Sequence, residues 1–151
     1  MRYKTIGDVI DEGRRFHADL AHQYEELEQL TTSERNALLL DQLRRREESM
    51  THSLDNFRQD MSPGVLRSWL QFAPEGKEPF LLDKVRSADI ESTESIANAA
   101  MDVEIYLADQ YRQMLQEAAT PSVREALQRL LDLEELEEHT LALNINSLND
   151  Y

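Results

Sequence analysis

The chain has 151 residues, with 16 Lys and Arg against 30 Asp and Glu, a formal net charge of −14 and no cysteine. This length is ordinarily one domain that folds without disulfide or metal staples, and the missing cysteines exclude disulfide frameworks, thiolate metal sites and thiol catalysis, as fits a reducing cytoplasm. The acidic excess repels phosphate backbones and anionic head groups, so neither nucleic acid nor a membrane surface is an expected partner; an acidic surface either keeps the chain soluble or concentrates cations.

The N-terminus MRYKTIGDVIDEG lacks an apolar leader region, and no stretch approaches the roughly 20 apolar residues that span a bilayer, so a cytoplasmic protein is expected. Apolar residues recur at spacings of three and four, the helical period. The first helix is predicted over about 5–30, N-capped by Thr5, with an inner face of Ile6, Val9, Ile10, Gly13, Phe16, Leu20, Tyr24 and Leu27. The second is predicted over about 31–61, where Thr31 and Glu34 have capping-box spacing. Its face is Leu39, Leu40, Leu43, Met50, Leu54, Phe57 and Met61, and Pro63 with Gly64 ends it.

Segment 62–91 holds Pro63, Pro74, Pro79, Gly64 and Gly76, together with two short apolar runs, VLRSWLQF and PFLLDKV. It reads as a structured crossover packing over the bundle, Trp69 included. The third helix is predicted over about 92–119, facing inward with Ile96, Ala97, Ala100, Val103, Leu107, Ala108, Tyr111, Met114 and Leu115. Thr120-Pro121 supplies an N-cap followed by proline at the first helical position, so the fourth helix is predicted over about 121–149, with Val123, Leu127, Leu130, Leu141, Ile145 and Leu148 inward. Short links make each pair of helices an antiparallel hairpin, and the long segment between the pairs permits a crossover. The hairpins are weakly alike: Gly7-Asp8-Val9-Ile10 lines up with Met101-Asp102-Val103-Glu104, and Leu43, Glu47, Met50, Leu54 with Leu130, Glu134, Glu137, Leu141. The expected fold is an all-α four-helix bundle spanning the whole chain.

Few charged residues project along these stripes at about 100° per residue. Glu47, Glu104 and Glu134 do, each near the midpoint of its helix, so in an antiparallel bundle they converge at one level. His17, Tyr24, Tyr111 and either Glu137 or Glu138 lie at or beside the inward faces. Ionised carboxylates buried without partners cost several kcal/mol each, so the group calls for protonation, cationic partners or a metal; carboxylate oxygens suit hard cations. His17 alone reads more simply as a hydrogen-bonded histidine. The pairs Glu48/His52 and Glu135/His139 have chelating spacing, but their histidines lie opposite the apolar stripes, and His22 also points outward.

With these features the chain resembles the ferritin-like superfamily, especially its short rubrerythrin-type members. The resemblance implies two helical hairpins joined by a long crossover, and two metal ions held by a Glu on helices 1 and 3, each with a Tyr seven residues later, and by Glu-x-x-His on helices 2 and 4. Glu104 with Tyr111 has the helix 3 spacing, and Glu47 and Glu134 match the glutamates of helices 2 and 4. Ile10 stands where the helix 1 Glu would be, His17 at its Tyr, and Met50 and Glu137 at the two histidines. The resemblance therefore implies iron or manganese on a degenerate site of Glu47, Glu104, Glu134 and Glu137 or Glu138, with His17 as an additional ligand, serving oxygen, peroxide or iron handling. No nucleophile triad, phosphate loop or nucleotide fingerprint occurs. The alternative expectation is a metal-free bundle acting by protein interaction, as a homo-oligomer, through apolar crossover surface around Trp69 and Phe72.

Overall fold

The computed structural model describes residues 3–149, with side chains through Ser147. Helix α1, Ile6–Leu30, opens on a reciprocal capping box: the Thr5 hydroxyl accepts the Asp8 N–H at 3.1 Å, and the Asp8 carboxylate accepts the Thr5 N–H at 3.0 Å. Helix α2, Glu34–Asp60, starts later than the expected Thr31 because Ser33 takes the capping role, its hydroxyl accepting the Asn36 N–H at 3.2 Å. Thr31 is committed elsewhere, donating its hydroxyl to the Ile90 carbonyl at 2.8 Å. The Glu91 carboxylate accepts the Thr32 N–H and hydroxyl, both at 2.8 Å. The crossover thus selects which of three consecutive hydroxyl residues begins the helix.

Within the crossover lie two short helices, α3 (Pro63–Leu66) and α4 (Glu78–Arg86). Helix α5 spans Thr93–Gln116 with Ser92 as N-cap. It stops before the expected Ala119 because Glu117 and Ala118 turn their N–H groups back to Met114 and Leu115 carbonyls in a tightened last turn. Helix α6, Pro121–Asn149, starts as expected, with the Thr120 hydroxyl accepting the Val123 N–H at 3.3 Å.

Helices α1 and α2 pack along their length, as do α5 and α6. Ion pairs fix the antiparallel register of the first pair: Asp11 meets Arg58 at 2.9 Å, and Arg14 meets Asp55 one turn further on. The crossover lies against both pairs, with α4 on α1 and α5 and α3 on α1 and α6. One expectation here is corrected. Trp69 does not pack over the bundle but is 62 % exposed. A single antiparallel bridge joins it to Thr5, with Ile6 N–H donating to Ser68 O and Leu70 N–H to Lys4 O. In that extended backbone neighbouring side chains alternate, so Leu70 is turned inward and Trp69 outward. From α4, Leu81 and Val85 are buried, whereas Phe80 is exposed.

The predicted inner faces are buried except that Gly13, Met61, Leu115 and Ile145 are only half-buried; the Leu148 side chain lies outside the described residues. The core forms two apolar clusters. One is built around Ile6, Ile10, Met50, Leu54, Ala108, Leu127 and Leu130. The other gathers Phe16, Leu20, Leu40, Leu43, Val103, Leu107 and Leu141. Each fully buried aliphatic or aromatic side chain contributes roughly 1.5–3 kcal/mol. Along α1, α2 and α6 the clusters meet across His17, Glu47 and Glu134, so a polar layer crosses the middle of the bundle. Among the described residues no helix is long and apolar enough to cross a membrane.

Candidate functional site

The polar layer takes one buried ionisable residue from each long helix: His17 from α1, Glu47 from α2, Glu104 from α5 and Glu134 from α6. Each lies within an apolar stripe, so helix periodicity that buries the neighbouring leucines buries these groups as well. His17 is 1 % exposed, Glu134 1 % and Glu104 5 %. His17 joins the hairpins directly: Nδ1 is bonded to Glu47 Oε2, and Nε2 lies 2.9 Å from Glu134 Oε1. Burial alone would lower the His17 pKa, but the charges and hydrogen bonds of Glu47 and Glu134 together hold it well above its ordinary value. An imidazole placed between two carboxylates carries a proton on each nitrogen.

Two carboxylate oxygens of the layer, Glu104 Oε2 and Glu134 Oε2, are buried with no hydrogen-bond partner. Burial, and then the nearby charges of Glu47 and Glu134, push the Glu104 carboxyl well above the usual carboxylate range. Tyr24 is buried on the α1 side, its phenol raised by burial and by the fields of Glu47 and Glu104. Tyr111 is buried beside α1, where a Cβ on Gly13 would lie 3.2 Å from its hydroxyl. Its pKa is likewise raised, by burial first and by Glu134 next.

Of the two acids one turn beyond Glu134, Glu137 is the one tied to the layer. Its carboxyl is raised by burial, against the pull of Arg46 and with the repulsion of Glu47 and Glu134. Arg46 lies 3.0 Å from the Glu137 carboxylate and donates to the Glu137 carbonyl at 2.5 Å, linking α2 to α6. Glu138 is half-buried. Arg46 is the residue that sequence reasoning missed: it sits beside Glu47 at the edge of the α2 stripe, and only the proximity of α6 gives it a partner. The surface pairs behave as expected, His52 and His139 being exposed while Glu48 and Glu135 pair with Arg44 and Arg112.

Chemically, the layer combines buried oxygen donors and an imidazole with a half-buried guanidinium at its edge. Among the described residues no three of His, Asp and Glu gather their ligating atoms around one point as in a formed metal site. The layer is tied together by the bonds of His17 to Glu47 and Glu134, which leave one oxygen each of Glu104 and Glu134 without a hydrogen-bond partner.

Fold and site together define an all-helical bundle with a buried, ionisable mid-layer. Neither a family model, nor a curated protein, nor a solved structure matches the chain significantly.

Proposed function

We propose that this chain is a ferritin-like bundle in which Glu47, Glu104 and Glu134, with Glu137 beside them, hold a divalent cation such as iron or manganese for redox chemistry or iron handling. The observation that carries this reading is the pair of buried carboxylate oxygens without partners, Glu104 Oε2 and Glu134 Oε2. Leaving such atoms unsatisfied costs about 1–3 kcal/mol each, and a cation with several oxygen ligands removes that cost. The donor set fits Mn²⁺ or Fe²⁺ in kind, being oxygen-rich and free of thiolate. The ferritin-like arrangement is supported by two packed helix pairs on either side of the long segment between α2 and α5.

When bound, such an ion would supply Lewis acidity and, if redox-active, an electron. The remaining roles belong to the chain. His17 orients Glu47 and Glu134 by one ring nitrogen each. The apolar clusters above and below exclude water, which strengthens charge interactions inside. Glu104 must give up its proton for the carboxylate to ligate, so uptake releases protons.

A second reading, a metal-free bundle acting through protein contacts, is favoured by two other observations. His17 already gives Glu47 and Glu134 a cationic partner, and Trp69 and Phe72 of the crossover face outward. Elemental analysis separates the two. Protein produced with iron or manganese supplementation and purified without a metal-affinity column is expected to carry near-stoichiometric metal, lost in Glu104→Gln/Glu134→Gln. Trace metal together with a higher melting temperature in that double variant selects the metal-free reading, because neutralising unpaired buried acids stabilises whereas removing ligands does not.

A further inference from the structure

We infer that the outward face of the Thr5–Trp69 bridge is an interface between two copies of this chain, each seating its Trp69 in the groove that the other forms between α3 and the start of α1. This gives the protein-contact reading above its partner, and it does not depend on a cation in the mid-layer. On either side of the bridge Ile6 N–H donates to the Ser68 carbonyl and Leu70 N–H to the Lys4 carbonyl, so Thr5 and Trp69 are a directly opposed pair whose side chains share one face. Lys4 and Leu70 turn the other way, Lys4 to meet Glu12 at 2.6 Å and Leu70 into the core. The same alternation turns Tyr3 outward with Trp69, and Tyr3 is 77 % exposed. Two large aromatic side chains therefore stand in solvent beside a groove lined by Gly7, Pro63 and Leu66. Trp and Tyr are the residues that most often anchor protein interfaces.

Charge decides what can cover this face. At a net charge of −14, two copies repel one another over most of their surface. The exposed Leu136 and Leu143 of α6 are closed to a second copy for that reason: their stretch of helix runs through Asp132, Glu135, Glu137 and Glu138, and no Lys or Arg follows Arg129. The groove beside Trp69 instead carries both signs in balance, Asp8 and Asp11 against Arg58 and Arg67. Asp11 and Arg58 pair within the chain. Asp8 accepts the Thr5 amide, but neither it nor Arg67 has an ion-pair partner among the described residues. A twofold axis sets the same patch against itself, so Arg67 of each copy can meet Asp8 of the other. A patch of one sign could not be its own partner.

Sedimentation velocity of the full-length chain across the micromolar range is the test, and a monomer–dimer equilibrium is expected. Trp69 is the only tryptophan, so its emission should shift to the blue as dimer forms, in wild type and without a label. Trp69→Ser is expected to weaken the dimer by at least about tenfold while leaving the melting temperature of the monomer unchanged. Arg67→Asp is expected to weaken it similarly, and mixing that variant with Asp8→Arg to restore a dimer, because the two carry opposite charges at the facing positions. A chain that stays monomeric overturns the inference and leaves the protein-contact reading to a different partner. A dimer that forms with no change in Trp69 emission, or that survives Trp69→Ser, also overturns it by placing the interface elsewhere.

Discussion

Replacing Glu104 by glutamine probes the energetic character of the mid-layer. The residue is 5 % exposed and one of its oxygens has no partner. Glutamine keeps nearly the same shape, removes the ionisable group, and turns an N–H donor toward neighbouring acids. Relieving one unsatisfied buried acceptor is worth about 1–3 kcal/mol; a central value of about 2 kcal/mol corresponds to roughly 4–8 °C in melting temperature for a chain of this size. The assay is calorimetric melting of chelator-treated wild type and Glu104→Gln at about pH 5 and about pH 8.

The pH dependence has a definite sign. Because the folded state raises the Glu104 pKa, first through burial and then through Glu47 and Glu134, the folded chain holds its proton more tightly than the unfolded chain. The stability from this group is complete below the ordinary carboxyl value and is lost as pH rises through the folded-state value. Glutamine has no proton to lose, so the gain in melting temperature is larger at the higher pH. A variant that melts below wild type at about pH 8 in the absence of metal would refute the reasoning, as would a gain that ignores pH.

Three further outcomes follow from other parts of the molecule. The raised His17 pKa, the result of its two carboxylates prevailing over burial, contributes stability present below about pH 6.5 and lost as pH rises through the folded value; melting of metal-free wild type should fall from about pH 6 to about pH 9, with a shallower decline in His17→Gln. A Cβ on Gly7 would lie 3.1 Å from the Leu66 carbonyl, a backbone atom that moves only with α3; Gly7→Ala is expected to lose about 1 kcal/mol in denaturant melts despite its better helix propensity. Glu91→Ala removes the acceptor for the Thr32 amide and hydroxyl, so hydrogen exchange at Thr32 should accelerate while amides at the middle of α2 are unchanged.

The long helices and the polar layer were legible for one physical reason. A stripe of apolar residues repeated over some seven turns leaves little freedom of phase, so Glu47, Glu104, Glu134 and His17 could be placed inside from spacing alone. What the sequence left open was decided by distant parts of the chain. Thr31 and Ser33 both offer an N-cap hydroxyl, and the choice between them is made by Ile90 and Glu91 of the crossover. Trp69 is apolar and lies in an apolar run, yet a bridge to Thr5 sets the alternation that turns it outward. The Arg46–Glu137 pair depends on α2 and α6 being neighbours, which the local pattern of neither helix contains. The position of His17 was foreseeable, but its bonds to two helices appear only once the four stripes are assembled.

On the proposed metal-binding reading, the layer links folding to cation binding. Apolar side chains in place of a buried ionic group often stabilise a protein by about 1–4 kcal/mol, so a bundle selected by stability alone would continue its two apolar clusters through the middle. Here the clusters offset the cost of the layer, and a ligand that binds only the folded chain can recover it. At a free concentration one hundred times its Kd such a ligand adds about 2.7 kcal/mol, or roughly 5–11 °C at this chain length. The melting temperature of wild type should therefore climb with the logarithm of Mn²⁺ concentration above Kd, while that of Glu104→Gln/Glu134→Gln stays level. Parallel, flat responses from both chains would mean that the His17–Glu47 and His17–Glu134 bonds exist to fix helix register, within the first hairpin and between the two, with no cation to follow.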